Sequence, residues 1–188
     1  MNGVLAPARM RITIDRYQKM VATGVLTRDD HVELIEGEIL HTAPISPRHA
    51  SVTARLCRRL ILALGDTAMV GVGHPVALGH FSEPQPDLLV LKPRPDDYSS
   101  AHPQVKDVLL LIEIADSSLT FDCGTKRDLY SQFGIAEYWV IDLNNQRTLV
   151  YLWPVQSAFQ RTREYLVGDA ISPMAIPKLT VAMSDLFA

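Results

Sequence analysis

Three residues have the types and the spacing to act together on a phosphodiester: Asp87, Glu113 and Lys126. Glu113 sits near the end of an apolar run, Val-Leu-Leu-Leu-Ile-Glu-Ile-Ala, from Val108 to Ala115. A run with so little alternation predicts a strand buried on both faces. A carboxylate inside it needs a metal, a cation or a hydrogen-bond network, because burying an unpartnered charge is costly. Asp87 follows Pro86 and opens a second apolar run, Leu88-Leu-Val-Leu91. An acid at the mouth of a buried strand suits a metal, although Pro-Asp taken alone is ordinarily a turn. Two oxygen ligands on adjacent strands satisfy a hard cation such as Mg²⁺, with Mn²⁺ as an alternative. Such an ion uses one or two carboxylates, keeps several waters and takes a substrate phosphate as a further ligand. It would polarise the phosphodiester and make a bound water a better nucleophile. An ammonium at Lys126 would orient that water or offset charge developing on the phosphate. No nucleophilic Ser or Cys is required. Cys123 lies close in sequence, but no histidine is placed to form a dyad with it.

The elements that must position these groups can be read from the pattern. Asp107–Asp142 predicts strand, loop, helix and strand, the helix running from about Asp122 to Phe133 with Lys126 and Tyr130 one turn apart on one face. Upstream, Thr13 caps a short helix over Ile14–Thr23, and Gly24 stops it. His31–His41 reads as a hairpin turning at Glu36-Gly37. Of its acids, Glu36 and Glu38 belong to the turn and the solvent face, whereas Glu33 lies inside the strand and is the candidate for an inward carboxylate. Ser46-Pro47 starts a helix in which Val52, Leu56, Leu60 and Leu64 recur every four residues until Gly65. Arg55, Arg58 and Arg59 lie elsewhere on it, by default a solvated face and on the sharper reading a phosphate contact. His49, in its first turn, has capping or packing as its ordinary role.

Ala68–Val72 and Pro75–Leu78 are expected to be two strands of a meander. Lys92–Lys106 is a polar loop long enough to be a lid or a substrate-contacting loop. Asn144-Asn145 turns Glu137–Asp142 back into Thr148–Trp153, an edge strand that a second copy could pair with, and Gln156–Tyr165 forms a further edge.

In order along the chain, Glu33-Leu-Ile-Glu-Gly-Glu38, Pro86-Asp87, Glu113-Ile-Ala-Asp-Ser-Ser118, Asp122-Cys-Gly-Thr-Lys126, Tyr130, Gly134 and Glu137-Tyr-Trp-Val-Ile-Asp142 resemble the Uma2 family, within the PD-(D/E)XK nuclease superfamily. The resemblance runs from about Ile12 to the C-terminus. It implies an α/β (α+β) fold with a restriction-endonuclease-like core: a mixed central sheet flanked by helices, preceded by an N-terminal helix and hairpin. It also implies a Mg²⁺-dependent endonuclease acting on DNA. Asp87 and Glu113 correspond to the two motif acids and metal ligands. The lysine expected two residues after Glu113 is replaced by Ala115, and Lys126 matches a lysine on the following helix. Glu33 matches the family's N-terminal acid, a further ligand or water positioner. His49 matches a family histidine, and together with Tyr130 and Arg55 it is assigned to substrate binding. On this reading Asp116 caps its loop and Asp122 pairs with Lys126.

The bulk properties limit the alternatives. The 188 residues fit one domain, 12–188, behind a loose arm, 1–11. A net charge of -3 lacks the basic footprint of a strong nucleic-acid binder, so DNA contacts must be local. The two cysteines, Cys57 and Cys123, form no metal spacing and no disulfide framework, which fits a reducing, cytoplasmic setting. Met1–Met10 has no apolar core of a signal peptide, and no run approaches the ~18 residues of a membrane span. A homodimer suits an enzyme that cuts both strands. Two other functions compete: a non-catalytic nucleic-acid-binding or regulatory protein on a nuclease fold, and an assembly module in which Glu113 and Lys126 form an ordinary buried ion pair.

Overall fold

The structure is a computed structural model describing residues 9–187. Most of the anticipated N-terminal arm therefore lies outside the described residues. Where the chain enters, Arg11 donates to the Glu36 carbonyl at 2.8 Å, and Ile12 N–H donates to the Gly37 carbonyl at 2.9 Å. Helix α1 (Ile14–Ala22) follows, capped by the Thr13 hydroxyl accepting from Arg16 N–H. The hairpin β1 (Val32–Ile35) and β2 (Glu38–His41) turns at Glu36 and Gly37, both at positive φ, 50° and 85°. Helix α2 (Pro47–Leu64) is capped by Ser46 and buries Val52, Leu56, Leu60 and Leu64, the four-residue stripe legible in the sequence.

Six strands form the central sheet: β3 (Met69–Val72), β4 (Leu88–Leu91), β5 (Val108–Ala115), β6 (Glu137–Asp142), β7 (Arg147–Val155) and β8 (Ala158–Leu166), in that spatial order. β5 and β6 are parallel and every other neighbouring pair is antiparallel, so the sheet is mixed. The crossover between the parallel strands is one helical run made of α3 (Leu119–Phe121), a π turn (Asp122–Lys126) and α4 (Arg127–Gln132). Alternate residues of β5 feed two cores. Leu110, Ile112 and Ile114 join α2 and α5 (Ser184–Phe187) on one face, while Leu111 and Ala115 join α4 residues Leu129 and Tyr130 on the other. The expectation of a strand buried on both faces is met. A small ribbon of β9 (Ala170–Ile171) and β10 (Val181–Ala182) closes the first core. Among the described residues no helix is long and apolar enough to cross a membrane.

Three expectations need correction. Pro75–Leu78 is not a strand: Ala77 and Leu78 make only isolated bridges, and Val76 and Ala77 donate to the Pro84 and Pro103 carbonyls of two different loops. Thr148–Trp153 is not an edge, because β8 pairs with it from Thr148 to Leu152 and again beyond it at Pro154. The edge is β8, and it carries Arg161 and Arg163, charges that oppose pairing with another chain. The loop after β4 is braced rather than built as a lid. Asp96 pairs with Arg94 and accepts from Ser100, and the Tyr98 hydroxyl donates to the Lys92 carbonyl at 2.8 Å.

Candidate active site

Register places Asp87 and Glu113 side by side. In the antiparallel β4–β5 pair Leu88 opposes Ile112, so the next residues along, Asp87 and Glu113, face each other at the end of the ladder. Asp87 Oδ2 accepts from Ile114 N–H at 2.7 Å, and Asp87 N–H points at Glu113 Oε2 at 3.4 Å. The second Asp87 oxygen, Oδ1, lies 3.0 Å from His49 Nε2. Glu113 Oε1 receives two donors, Lys126 Nζ at 3.0 Å and the Tyr130 hydroxyl at 2.9 Å. Lys126 Nζ also lies 3.2 Å from Glu33 Oε1, which brings the hairpin acid into the cluster. The other Glu33 oxygen accepts from Gln85 N–H at 3.1 Å. Four elements thus deliver Asp87, Glu113, Lys126 and Glu33 to one place, the mouth of the sheet.

A family profile described as "Putative restriction endonuclease", that of Uma2, matches residues 14–184. The chain belongs to the Uma2 family. A solved structure described as a "putative nuclease belonging to DUF820" from Anabaena variabilis ATCC 29413 superposes with a TM-score of 0.75 at 22% identity, covering 94% of this chain and 97% of that one. At that identity the likeness shows the fold, and the mixed sheet flanked by helices is a restriction-endonuclease-like one. No curated protein matches.

Within this Uma2 chain the other anticipated site residues fall in different places. His49 lines the cleft and holds Asp87. Tyr130 is fully buried behind Glu113, so it braces the acid instead of meeting a substrate. Arg55 does not line the cleft; its guanidinium reaches Ser51 one turn back at 3.2 Å. Asp116 accepts from the Ser46 hydroxyl at 2.6 Å, which ties the start of α2 to the end of β5. Asp122 was expected to pair with Lys126. It instead accepts from Ser118 at 2.6 Å, and it acts on Lys126 through the field between them. The π turn sets this arrangement: Arg127 N–H reaches back to the Asp122 carbonyl, which also accepts from the Tyr138 hydroxyl at 3.1 Å. Such bulges recur at functional sites.

The electrostatics follow from four carboxylates around one ammonium. Burial would lower the Lys126 pKa, but Glu113, Glu33 and Asp122 more than reverse it, so the amine stays charged. Burial pushes the Glu113 carboxyl well above its usual range; Lys126 opposes this, and Asp122, Asp87 and Glu33 add to it. Its hydrogen bond to Asp87 raises the His49 pKa against the effect of burial. Burial pushes Asp122 up to about 6.

Asp122 gives a testable pH dependence. Its folded pKa lies above the unfolded value of 3.8, so the folded chain holds this proton more tightly. The stability it contributes is present below about pH 4 and is lost as pH rises through about 6. Asn at this position still accepts from Ser118. Asp122→Asn should therefore flatten that slope and stabilise the protein at pH 8 by on the order of 2 kcal/mol. Urea unfolding at pH 4 and pH 8 measures this, and a variant less stable at pH 8 would contradict it.

The cluster fits a divalent cation. Among the described residues no three or more His, Cys, Asp or Glu side chains form a ready cage. Mg²⁺ does not need one, since one or two carboxylates and waters suffice. Among the described residues Glu113 Oε2 has only its long contact with Asp87 N–H, and negative charge exceeds positive around it. Asp87 and Glu113 are the residues that could hold the ion.

Proposed function

We propose that this protein is a divalent-metal-dependent endonuclease that hydrolyses phosphodiester bonds of DNA. The observation that carries the reading is the convergence of Asp87, Glu113 and Lys126 at the end of the β4–β5 ladder. The Uma2 match and the nuclease-described neighbour support it. The match over 14–184 also supports treating 12–188 as one domain.

Asp87 and Glu113 would hold Mg²⁺ or Mn²⁺, which on binding supplies a Lewis acid and an activated water. The chain's own groups divide the remaining work. Ile114 N–H and His49 fix both oxygens of Asp87. The Tyr130 hydroxyl and Lys126 fix Oε1 of Glu113, leaving Oε2 toward Asp87. Lys126 keeps its proton, so it acts as a positive charge and donor beside the scissile phosphate and not as a base.

The competing reading, a non-catalytic module with a structural ion pair, draws on Ala115 replacing the motif lysine and on Lys126 being shared by two acids. Cleavage of supercoiled plasmid and of single-stranded circular DNA separates the two. The nuclease reading expects nicking that requires Mg²⁺ or Mn²⁺ and stops with chelator. Binding without any cleavage under either ion would favour the module.

A further inference from the structure

We infer that the strand entering this site is unpaired DNA rather than intact duplex. The inference rests on the nuclease reading and names its substrate class. The catalytic groups lie at the bottom of a cleft of about 1650 Å³. Glu113, Glu33 and Lys126 are 4%, 3% and 6% exposed. α1 and the β1–β2 hairpin contribute one wall, and the braced loop from Tyr98 to Gln104 contributes another. A rigid duplex presents its phosphates on an outer surface whose single turn spans about 34 Å. Bringing one of them to a recessed site carries its neighbours against both walls. A single strand bends and enters.

The charge of the lining argues the same way. Six carboxylates line the cleft, Glu33, Glu83, Asp87, Glu113, Asp116 and Asp122, against two permanent cations, Arg28 and Lys126. Lys126 is committed to Glu113 and Glu33. Three arginines of α2 point to other partners: Arg48 to the Leu143 carbonyl, Arg55 to Ser51 and Arg59 to Asp185. Few phosphates can be neutralised here, so duplex binding driven by counterion release has little to draw on. The walls instead offer flat or apolar surfaces. His31, His41, His102 and Ile45 are exposed in the cleft, and Phe121 is half-buried there. Imidazoles and aromatic rings stack on unpaired bases and need few charges to do so.

The test is binding of the intact protein to a fluorescent oligonucleotide, single-stranded or annealed to its complement, with Ca²⁺ in place of Mg²⁺. The expected result is single-strand affinity at least about tenfold above duplex, with a log–log salt slope shallower than about 3. The double variant His41→Ala/His102→Ala, outside the catalytic cluster, should weaken single-strand binding at least about fivefold with unchanged melting temperature. Equal or tighter duplex binding, a slope steeper than about 6, no binding to either form, or an unaffected double variant would each overturn the inference. Because binding is read without cleavage, a protein that prefers single strands and cleaves neither a single-stranded circle nor a supercoiled plasmid would sink the nuclease reading alone.

Discussion

Asp87→Asn should yield a folded protein that has lost at least ~10³-fold of its nicking rate, since a metal contributes several kcal/mol to such a barrier. The prediction separates chemistry from folding. The Asp87 side chain is 22% exposed, so this is not a deep core position. An amide oxygen can still accept from Ile114 N–H, and His49 keeps a polar partner 3.0 Å away. The charge that holds a divalent ion is what disappears. Melting temperature within a few degrees of the parent, with nicking abolished over a range of Mg²⁺ concentrations, is the expected pair of results. Undiminished nicking would remove Asp87 from the site.

The second large effect is on stability. Lys126→Met leaves Glu113 and Glu33, both under 5% exposed, facing each other without their shared cation. Breaking a buried pair by deleting one partner costs about 3–5 kcal/mol. Here one ammonium serves two acids, so the upper part of that range is expected at pH 8. The loss should shrink toward pH 5, because the stranded acids can then be neutral. Adding Glu113→Gln should recover part of the stability, because the amide still accepts from Tyr130 and no longer carries charge. It should recover no nicking. Urea unfolding of the single and double variants measures this. A Lys126→Met protein as stable as the parent at pH 8 would show that the acids are already neutral there.

The sequence carries the site unevenly, for physical reasons. Asp87 and Glu113 stand out because each is an acid attached to an apolar strand, an anomaly visible without any structure. Their adjacency follows once β4 and β5 pair, and the apolar runs make that pairing easy to anticipate. Glu33 and Lys126 were marked by position in a strand and on a helix, and the resemblance to Uma2 joined them to the set. The bond between His49 and Asp87 spans 38 positions of chain, and helix periodicity carries no information about such a contact. Tyr130 shares a face with Lys126, as spacing implies, but spacing does not say that the face packs into the core. The π turn at Asp122–Lys126 is also hidden, since it depends on the Tyr138 hydroxyl from another strand. In the fold, the helices are legible from their periods and the two apolar strands from their nearly unbroken apolar runs. Pro75–Leu78 was not, because its backbone bonds to two loops that only tertiary packing brings beside it. The interior position of β7 likewise depends on a hairpin partner, β8, whose residues are almost all exposed and give no burial pattern to read.

The central claim is that Asp87 and Glu113 together hold a divalent ion. The most direct test is a crystal of the protein soaked in Mn²⁺, examined for anomalous scattering. The account predicts one peak between the two carboxylates, at the end of the β4–β5 ladder, with Glu113 Oε2 among its ligands. Full occupancy of Mn²⁺ elsewhere in the cleft, with no peak between Asp87 and Glu113, would contradict it.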